Sequence, residues 1–167
     1  LPIAQVLTDV NEVLAGVLSH WRIRAPERPV AVVVPQALPK VMADPRRLRQ
    51  VLDNLLENAH KYTPAHCQVS IECVEAVNDG KPMVQLTVRD EGPGIPAEQL
   101  ERIFEPFQQA DEAGRQAGGV GLGLAICRRI VDAQQGRIWA ESSIGQGAAF
   151  VMTLPVADRK RRRVRRE

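Results

Sequence analysis

No apolar run in this chain approaches the ~20 residues needed to cross a bilayer, and no signal-peptide pattern is present, so neither a membrane span nor a secretory leader is expected. The longest strongly apolar stretch, VAVVV at 30–34, is only strand-sized. Cysteine is scarce. Cys67, Cys73 and Cys127 are odd in number and lack metal-ligand spacing, which argues against a disulfide framework or a zinc module and for buried thiols in a reducing cytosol. No glycine run is followed by Gly-Lys-Ser/Thr, and none is preceded by a strand, which excludes a P-loop and a dinucleotide fingerprint. No internal repeat is present.

What remains is an ordinary globular mixture, 44% apolar and 25% charged over 167 residues, enough for one domain with a real core. The net charge of +2 misleads, because it is concentrated at one end. Residues 158–167, DRKRRRVRRE, hold seven Lys/Arg and two acids, while the other 157 residues carry fifteen basic and eighteen acidic side chains and are mildly acidic. Such a decapeptide has nothing to bury. We expect a folded domain over 1–156 and a disordered basic tail or linker over 157–167, with contact to nucleic acid or an anionic membrane an open alternative for the tail alone.

Apolar residues at helical spacing predict a first amphipathic helix over 3–18, and a strand follows at 30–34 between Pro29 and Pro35. A second helix opens at ADPRRL with Asp44 as N-cap and Pro45 in the first turn, where no intrahelical bond is lost. It should run to Tyr62 and stop before Pro64. Strands at 68–77 and 83–89 flank NDGK, an Asp-Gly hairpin turn. A short helix is expected at 97–103, then an aperiodic polar loop, QQADEAGRQAGG. A third helix over LGLAICRRIVDAQQ should end at Gly136, and strands at 137–142 and 148–154 close the chain. Three helices with about five strands predict an α/β two-layer sandwich with a mixed, largely antiparallel sheet.

Three segments point to chemistry. On the second helix, Asn54, Asn58 and Lys61 share a stripe about 60° wide at the edge of the apolar face. Amide oxygens are hard neutral ligands suited to Mg²⁺, and the ammonium supplies charge for phosphate; a solvated polar face is the alternative. In RDEGPGIP, residues 89–96, Asp90 ends a strand before a tight turn that lets a flat ligand approach the backbone. Asp90 would accept from an exocyclic amino group there; a turn without a ligand is the alternative. In GGVGLGLAI, Gly119, Gly121 and Gly123 run into a helix N-terminus, a phosphate cradle in form but weak evidence alone.

In order and spacing these segments resemble the ATP-binding catalytic domain of sensor histidine kinases, within the superfamily shared with gyrase, Hsp90 and MutL and its Bergerat-type fold. NLLENAHKYTP resembles the N box, DEGPGIP the G1 box, IFEPFQQ the F box and GVGLGLAI the G2 box, a match spanning roughly residues 1–156. The resemblance implies ATP and Mg²⁺ as cofactors. It gives Asn58 as principal Mg²⁺ ligand with Asn54 beside it, Lys61 on phosphate, Tyr62 near the adenine and Asp90 on the adenine amino group. Gly92, Gly94 and Ile95 would shape the base pocket, and Phe104 and Phe107 anchor a lid. Gly119, Val120, Gly121, Leu122, Gly123 and Leu124 would line the triphosphate, with Arg115 in the lid as a mobile phosphate contact and the lid itself poorly ordered without nucleotide.

The resemblance also separates branches of the superfamily. Its ATP-hydrolysing members have a glutamate four residues before the metal-binding asparagine; here that position is Asn54, which cannot act as a general base at neutral pH. Phosphoryl transfer to a histidine is therefore favoured, and Glu57, about 60° round the helix from Asn54 on the side away from Asn58, is not expected to carry it. None of His20, His60 and His66 stands in the family's phosphoacceptor pattern; His60 reads as a helix-surface residue and the other two as loop residues. The implied partners are ATP, a dimerisation and phosphoacceptor domain of the same parent kinase, and a downstream response regulator, with no nucleic acid expected. The implied location is a cytoplasmic domain of a parent kinase associated with the inner membrane. The family often has threonine at Val120 and a hydroxyl residue at Ala148, so backbone contacts survive there but hydroxyl contacts do not. A degenerate, non-catalytic nucleotide-binding or interaction module is the second reading, and nucleic-acid binding through 159–166 the third.

Overall fold

A computed structural model describes residues 2–106, 123–142 and 144–157 of the chain. Its main sheet has five strands in the order β2-β4-β5-β7-β6: β2 (Val30–Val33), β4 (Val69–Asn78), β5 (Lys81–Asp90), β7 (Ala148–Pro155) and β6 (Arg137–Ser142). Only β2 and β4 run parallel. Helices α1 (Val10–Arg24), α2 (Pro45–Tyr62) and α3 (Gly123–Ala133) supply the second layer, so the two-layer α/β sandwich is the architecture expected.

The inner face of the sheet follows the period of two: Val84, Leu86 and Val88 from β5 and Phe150, Met152 and Leu154 from β7 meet α2 and α3 in one core. Leu48, Leu52, Leu55 and Leu56 of α2 are each no more than 1% exposed, and burying each such side chain is worth about 1.5–3 kcal/mol. Tertiary packing therefore fixes α2. At the β4–β5 hairpin Asp79 and Gly80 both have positive φ, the mirror-image turn that an Asp-Gly pair favours.

The first helix departs from its expected bounds. Residues 6–8 form a short strand, β1 (Val6–Thr8), paired antiparallel with β3 (Val41–Ala43), and α1 starts only after Asp9, whose carboxylate accepts from the Asn11 N–H at 2.9 Å. Because Val6, Val10 and Leu14 also fit helical spacing, periodicity could not separate the strand from the helix. At its other end α1 continues to Arg24, so His20 is helical rather than a loop residue. The expected helix at 97–103 is two 3-10 turns, Ala97–Gln99 and Arg102–Phe104. After α3 the left-handed residue is Gln135, not Gly136: the Gly136 N–H donates to the Val131 carbonyl and the Gln135 N–H to that of Asp132, a Schellman stop. Gly136 is needed for another reason, since a Cβ there would overlap the Thr153 carbonyl of β7.

Asp44 caps α2 as expected, accepting from the Arg46 and Arg47 N–H groups, and its other oxygen accepts from the Ala4 N–H at 2.9 Å. Burial pushes its pKa up, but these three backbone donors, with the Arg47 charge, together outweigh burial and bring it below its ordinary 3.8. A depressed carboxylate contributes stability that is complete above 3.8 and is lost as pH falls through the lower folded value. Asp44→Asn keeps a capping Oδ1 but turns an NH₂ towards the Ala4 N–H, and should therefore cost about 1.5–3 kcal/mol at pH 7, the range for losing a hydrogen bond to a charged group. In thermal melts the gap between the two proteins should narrow below pH 3.8; a gap constant down to pH ~2.5 would contradict the ionised cap.

Cys73 and Cys127 are buried, as expected, and burial pushes each thiol up to about 12, well away from the thiolate that reacts. Cys67 departs from the expectation and is half-buried. Among the described residues no helix is long and apolar enough to cross a membrane.

Candidate nucleotide-binding site

The carboxyl end of β5 delivers Asp90 into the interior, where it is 2% exposed. Its Oδ1 accepts from the Gly92 N–H at 2.9 Å and from the Ala148 N–H, one strand over, at 3.3 Å. The carboxylate is thus locked to both the turn that follows it and the first residue of β7. The missing hydroxyl at Ala148 leaves the backbone N–H as that residue's polar contact.

Gly92 is where the turn meets α2. A Cβ there would lie 2.6 Å from the Tyr62 carbonyl oxygen and 2.9 Å from Asp90 Oδ1, so any side chain would push the turn off the helix end. Gly94 takes φ 83°, in the left-handed region. The turn is tied down from the β6–β7 side as well: the Ile95 N–H donates to Ser142 Oγ at 2.7 Å, Ser142 Oγ donates to the Gly147 carbonyl at 2.6 Å, and the Gly145 N–H donates to the Pro93 carbonyl at 2.9 Å. Ile95 is 1% exposed and belongs to the core. Ser142 carries no sequence signal of this role beyond lying at a strand end.

The α2 stripe runs from that turn towards α3. Asn54 donates from Nδ2 to the Gly123 carbonyl at 3.5 Å, which brings the first turn of α3 to the N-terminal end of the stripe. One turn further on, Asn58 is half-buried, and its Nδ2 is buried with no hydrogen-bond partner among the described residues. Lys61 is exposed and Tyr62 half-buried. A Cβ at Gly123 would only reach ordinary contact with Asn54, at 3.9 Å, so the described neighbours do not demand glycine there. Leu124 is partly buried against the core. Phe104 is buried, with its ring edge-on to Phe150 at 6.3 Å and Arg128 over it at 5.2 Å. Phe107, Arg115, Gly119, Val120, Gly121 and Leu122, with the expected lid and the basic tail, lie outside the described residues.

Glu57 points away from this site: its carboxylate pairs with Arg24 of α1 at 2.8 Å. His60 is not a plain surface residue either. Its ring stands edge-on to Trp21 at 5.3 Å, and its Nδ1 accepts from Arg28 Nε at 3.2 Å. Arg28, between α1 and β2, is 4% exposed and was not singled out in the sequence, where nothing marks one arginine of PERPV as buried.

A buried carboxylate at a strand end, a glycine turn closed against a helix bearing two amides and a lysine, and a second helix opening onto that stripe define a nucleotide-binding α/β sandwich. The chain belongs to the histidine kinase-, DNA gyrase B- and HSP90-like ATPase family, whose model matches residues 43–158. It is 40% identical over 173 residues to the adaptive-response sensory kinase SasA of Synechococcus sp. (strain JA-2-3B'a(2-13)), covering 90% of this chain and 45% of that protein. Among solved structures it is similar to full-length ShkA in complex with AMPPNP, at 33% identity and TM-score 0.76 over 94% of this chain and 32% of that one. It is also similar to the nucleotide-free catalytic domain of the histidine kinase ThkA, at 28% identity and TM-score 0.75 over 93% and 97%. The chain spans less than half the length of these curated relatives.

Proposed function

We propose that the chain binds Mg²⁺-ATP and supplies its γ-phosphoryl group for phosphorylation of a histidine on a dimerisation domain of the parent kinase, which would pass it to a response regulator. The observation that carries this reading is the buried Asp90 carboxylate, fixed by the Gly92 and Ala148 N–H groups beside the α2 stripe. It would accept from the adenine amino group, with Gly92, Gly94 and Ile95 shaping the base pocket and Tyr62 packing near the ring. The AMPPNP bound in the ShkA complex is a nucleotide of the class proposed.

The donor set fits Mg²⁺ only in company with phosphate. Among the described residues no group of three or more His, Cys, Asp or Glu side chains could hold a metal. Mg²⁺ commonly keeps waters and shares phosphate oxygens rather than filling an all-protein cage. Asn58, half-buried on the stripe, would be its principal ligand through Oδ1, with Asn54 beside it. Bound there, the ion would neutralise charge on the phosphates, with Lys61 adding a positive charge. Glu57, paired with Arg24, is not placed to activate water, which supports transfer over hydrolysis. Arg115 and the glycines from 119 to 123 complete the phosphate contacts in this reading.

Calorimetric titration with AMPPNP, with and without Mg²⁺, tests it. Wild type should bind more tightly with the metal, and Asn58→Ala should lose most of that gain, about tenfold, by removing one ligand. Absence of binding in either condition would overturn the reading and favour a degenerate module; an undiminished metal effect in Asn58→Ala would remove Asn58 as principal ligand.

A further inference from the structure

We propose that Arg28 is a positioning residue for the nucleotide site, acting through the His60 ring before Lys61 and the Thr63 backbone after Tyr62; this rests on the reading above. The guanidinium is 4% exposed, yet none of its hydrogen-bond partners is a carboxylate. Its acceptors are the carbonyls of Thr63 at 2.6 Å, Pro64 at 3.0 Å and Cys67 at 2.6 Å, and His60 Nδ1 at 3.2 Å. A desolvated cation without a counter-ion is costly unless its donors are satisfied, and here they are directed at the electronegative carbonyl end of α2 and the turn beyond it.

The position of those acceptors carries the inference. His60 immediately precedes Lys61, and Thr63 immediately follows Tyr62, so one planar fork holds both flanks of the pair proposed to meet phosphate and base. Tyr62 cannot drift without consequence, because its carbonyl abuts Gly92 closely enough to exclude a Cβ. Displacement of the helix end would therefore move the turn that Asp90 Oδ1 also holds. Arg28 is itself fixed, since its carbonyl accepts from Trp21 Nε1 at 3.1 Å, and Trp21 packs edge-on to His60. An Arg Nε always carries its hydrogen, so His60 must present a lone pair at Nδ1 and hold its proton on Nε2, towards Glu27 Oε1 at 3.6 Å. Sites held to within a fraction of an ångström lose affinity steeply when such support is removed.

The test measures Mg²⁺-AMPPNP affinity at 15 °C, beside thermal melts, for wild type, Arg28→Met, His60→Leu, His60→Asn and Val17→Ala. Val17 is fully buried on α1 and is not among the hydrogen-bond or ring partners of Arg28 and His60 given above, so its variant reports the effect of lost packing with those partners kept. We expect Arg28→Met to weaken binding about tenfold by loosening the helix end, and Val17→Ala to stay within about twofold of wild type because it removes none of the bonds to the two flanks. His60→Asn keeps an acceptor near the Nδ1 position and should bind more tightly than His60→Leu; this pair carries the test if Arg28→Met does not fold. Variants of Arg28 and His60 that bind like Val17→Ala would overturn the positioning role. Failure of wild type to bind would instead overturn the nucleotide-site reading.

Discussion

Asp90→Asn should keep its fold and lose adenine nucleotide binding by about two orders of magnitude, the scale of replacing a buried charged hydrogen bond with an opposed pair of donors. The fold should survive because an asparagine Oδ1 can still accept from the Gly92 and Ala148 N–H groups, at 2.9 and 3.3 Å in the wild type. Binding should not, because the second carboxylate oxygen becomes an NH₂ facing the adenine amino group. Asp90→Ala is the harsher variant: both backbone donors lose their acceptor, at about 1–3 kcal/mol each if left buried and unsatisfied. Against a typical stability of about 5–15 kcal/mol that is survivable but large. The two variants thus separate recognition from support. Calorimetry against ATP and GTP sharpens the point, since the new NH₂ complements a 6-oxo group and should raise the GTP-to-ATP affinity ratio. An Asp90→Asn protein that melts like wild type and binds ATP unchanged would remove Asp90 from the base pocket.

How much of this arrangement was legible in the sequence depended on whether its cause was local. Asp44-Pro45 and the leucine spacing of α2 place a cap and a buried stripe by local rules, and both stand in the structure. So does the NDG hairpin. The β1–β3 ribbon was missed because a three-residue strand is defined by its distant partner, 33 residues away in the Thr8↔Val41 pair and 35 in the bond from Thr8 Oγ1 to the Ala43 carbonyl. The stop after α3 was placed one residue late because glycine is the usual left-handed residue, whereas Gln135 adopts that conformation and Gly136 serves the approach of β7. Arg28 was invisible for a related reason. Arginine is usually exposed, and the carbonyls that hold this one are brought to it by the packing of α1 against α2 and by the parallel pairing of β2 with β4, which begins at Val30↔Val69.

The same distinction predicts which glycine of the final turn is indispensable. Gly145 and Gly147 both have positive φ, 81° and 76°, and look interchangeable in SSIGQG. An alanine at Gly145 meets nothing within 4 Å, so its cost should be the left-handed strain alone, about 1–2 kcal/mol. An alanine at Gly147 bears that strain and would also overlap the Asp90 carbonyl oxygen, with Asp90 C and Glu91 Cα 3.0 Å from the added carbon. Neither side can yield cheaply. Ala148 is paired with Asp90 across β5 and β7 and with Ser142 across β6 and β7, and the Gly147 carbonyl is held by Ser142 Oγ. Relief requires opening the end of the ladder, so Gly147→Ala should cost about 3 kcal/mol or more. Because the atom displaced is the backbone of Asp90, nucleotide affinity should fall with stability in Gly147→Ala, and less so in Gly145→Ala, whose N–H to Pro93 is retained. Denaturant melts and AMPPNP titrations of the two variants decide it: equal losses would mean that β5 and β7 can part at this end without strain, and that the strand end holding Asp90 is looser than its hydrogen bonds imply.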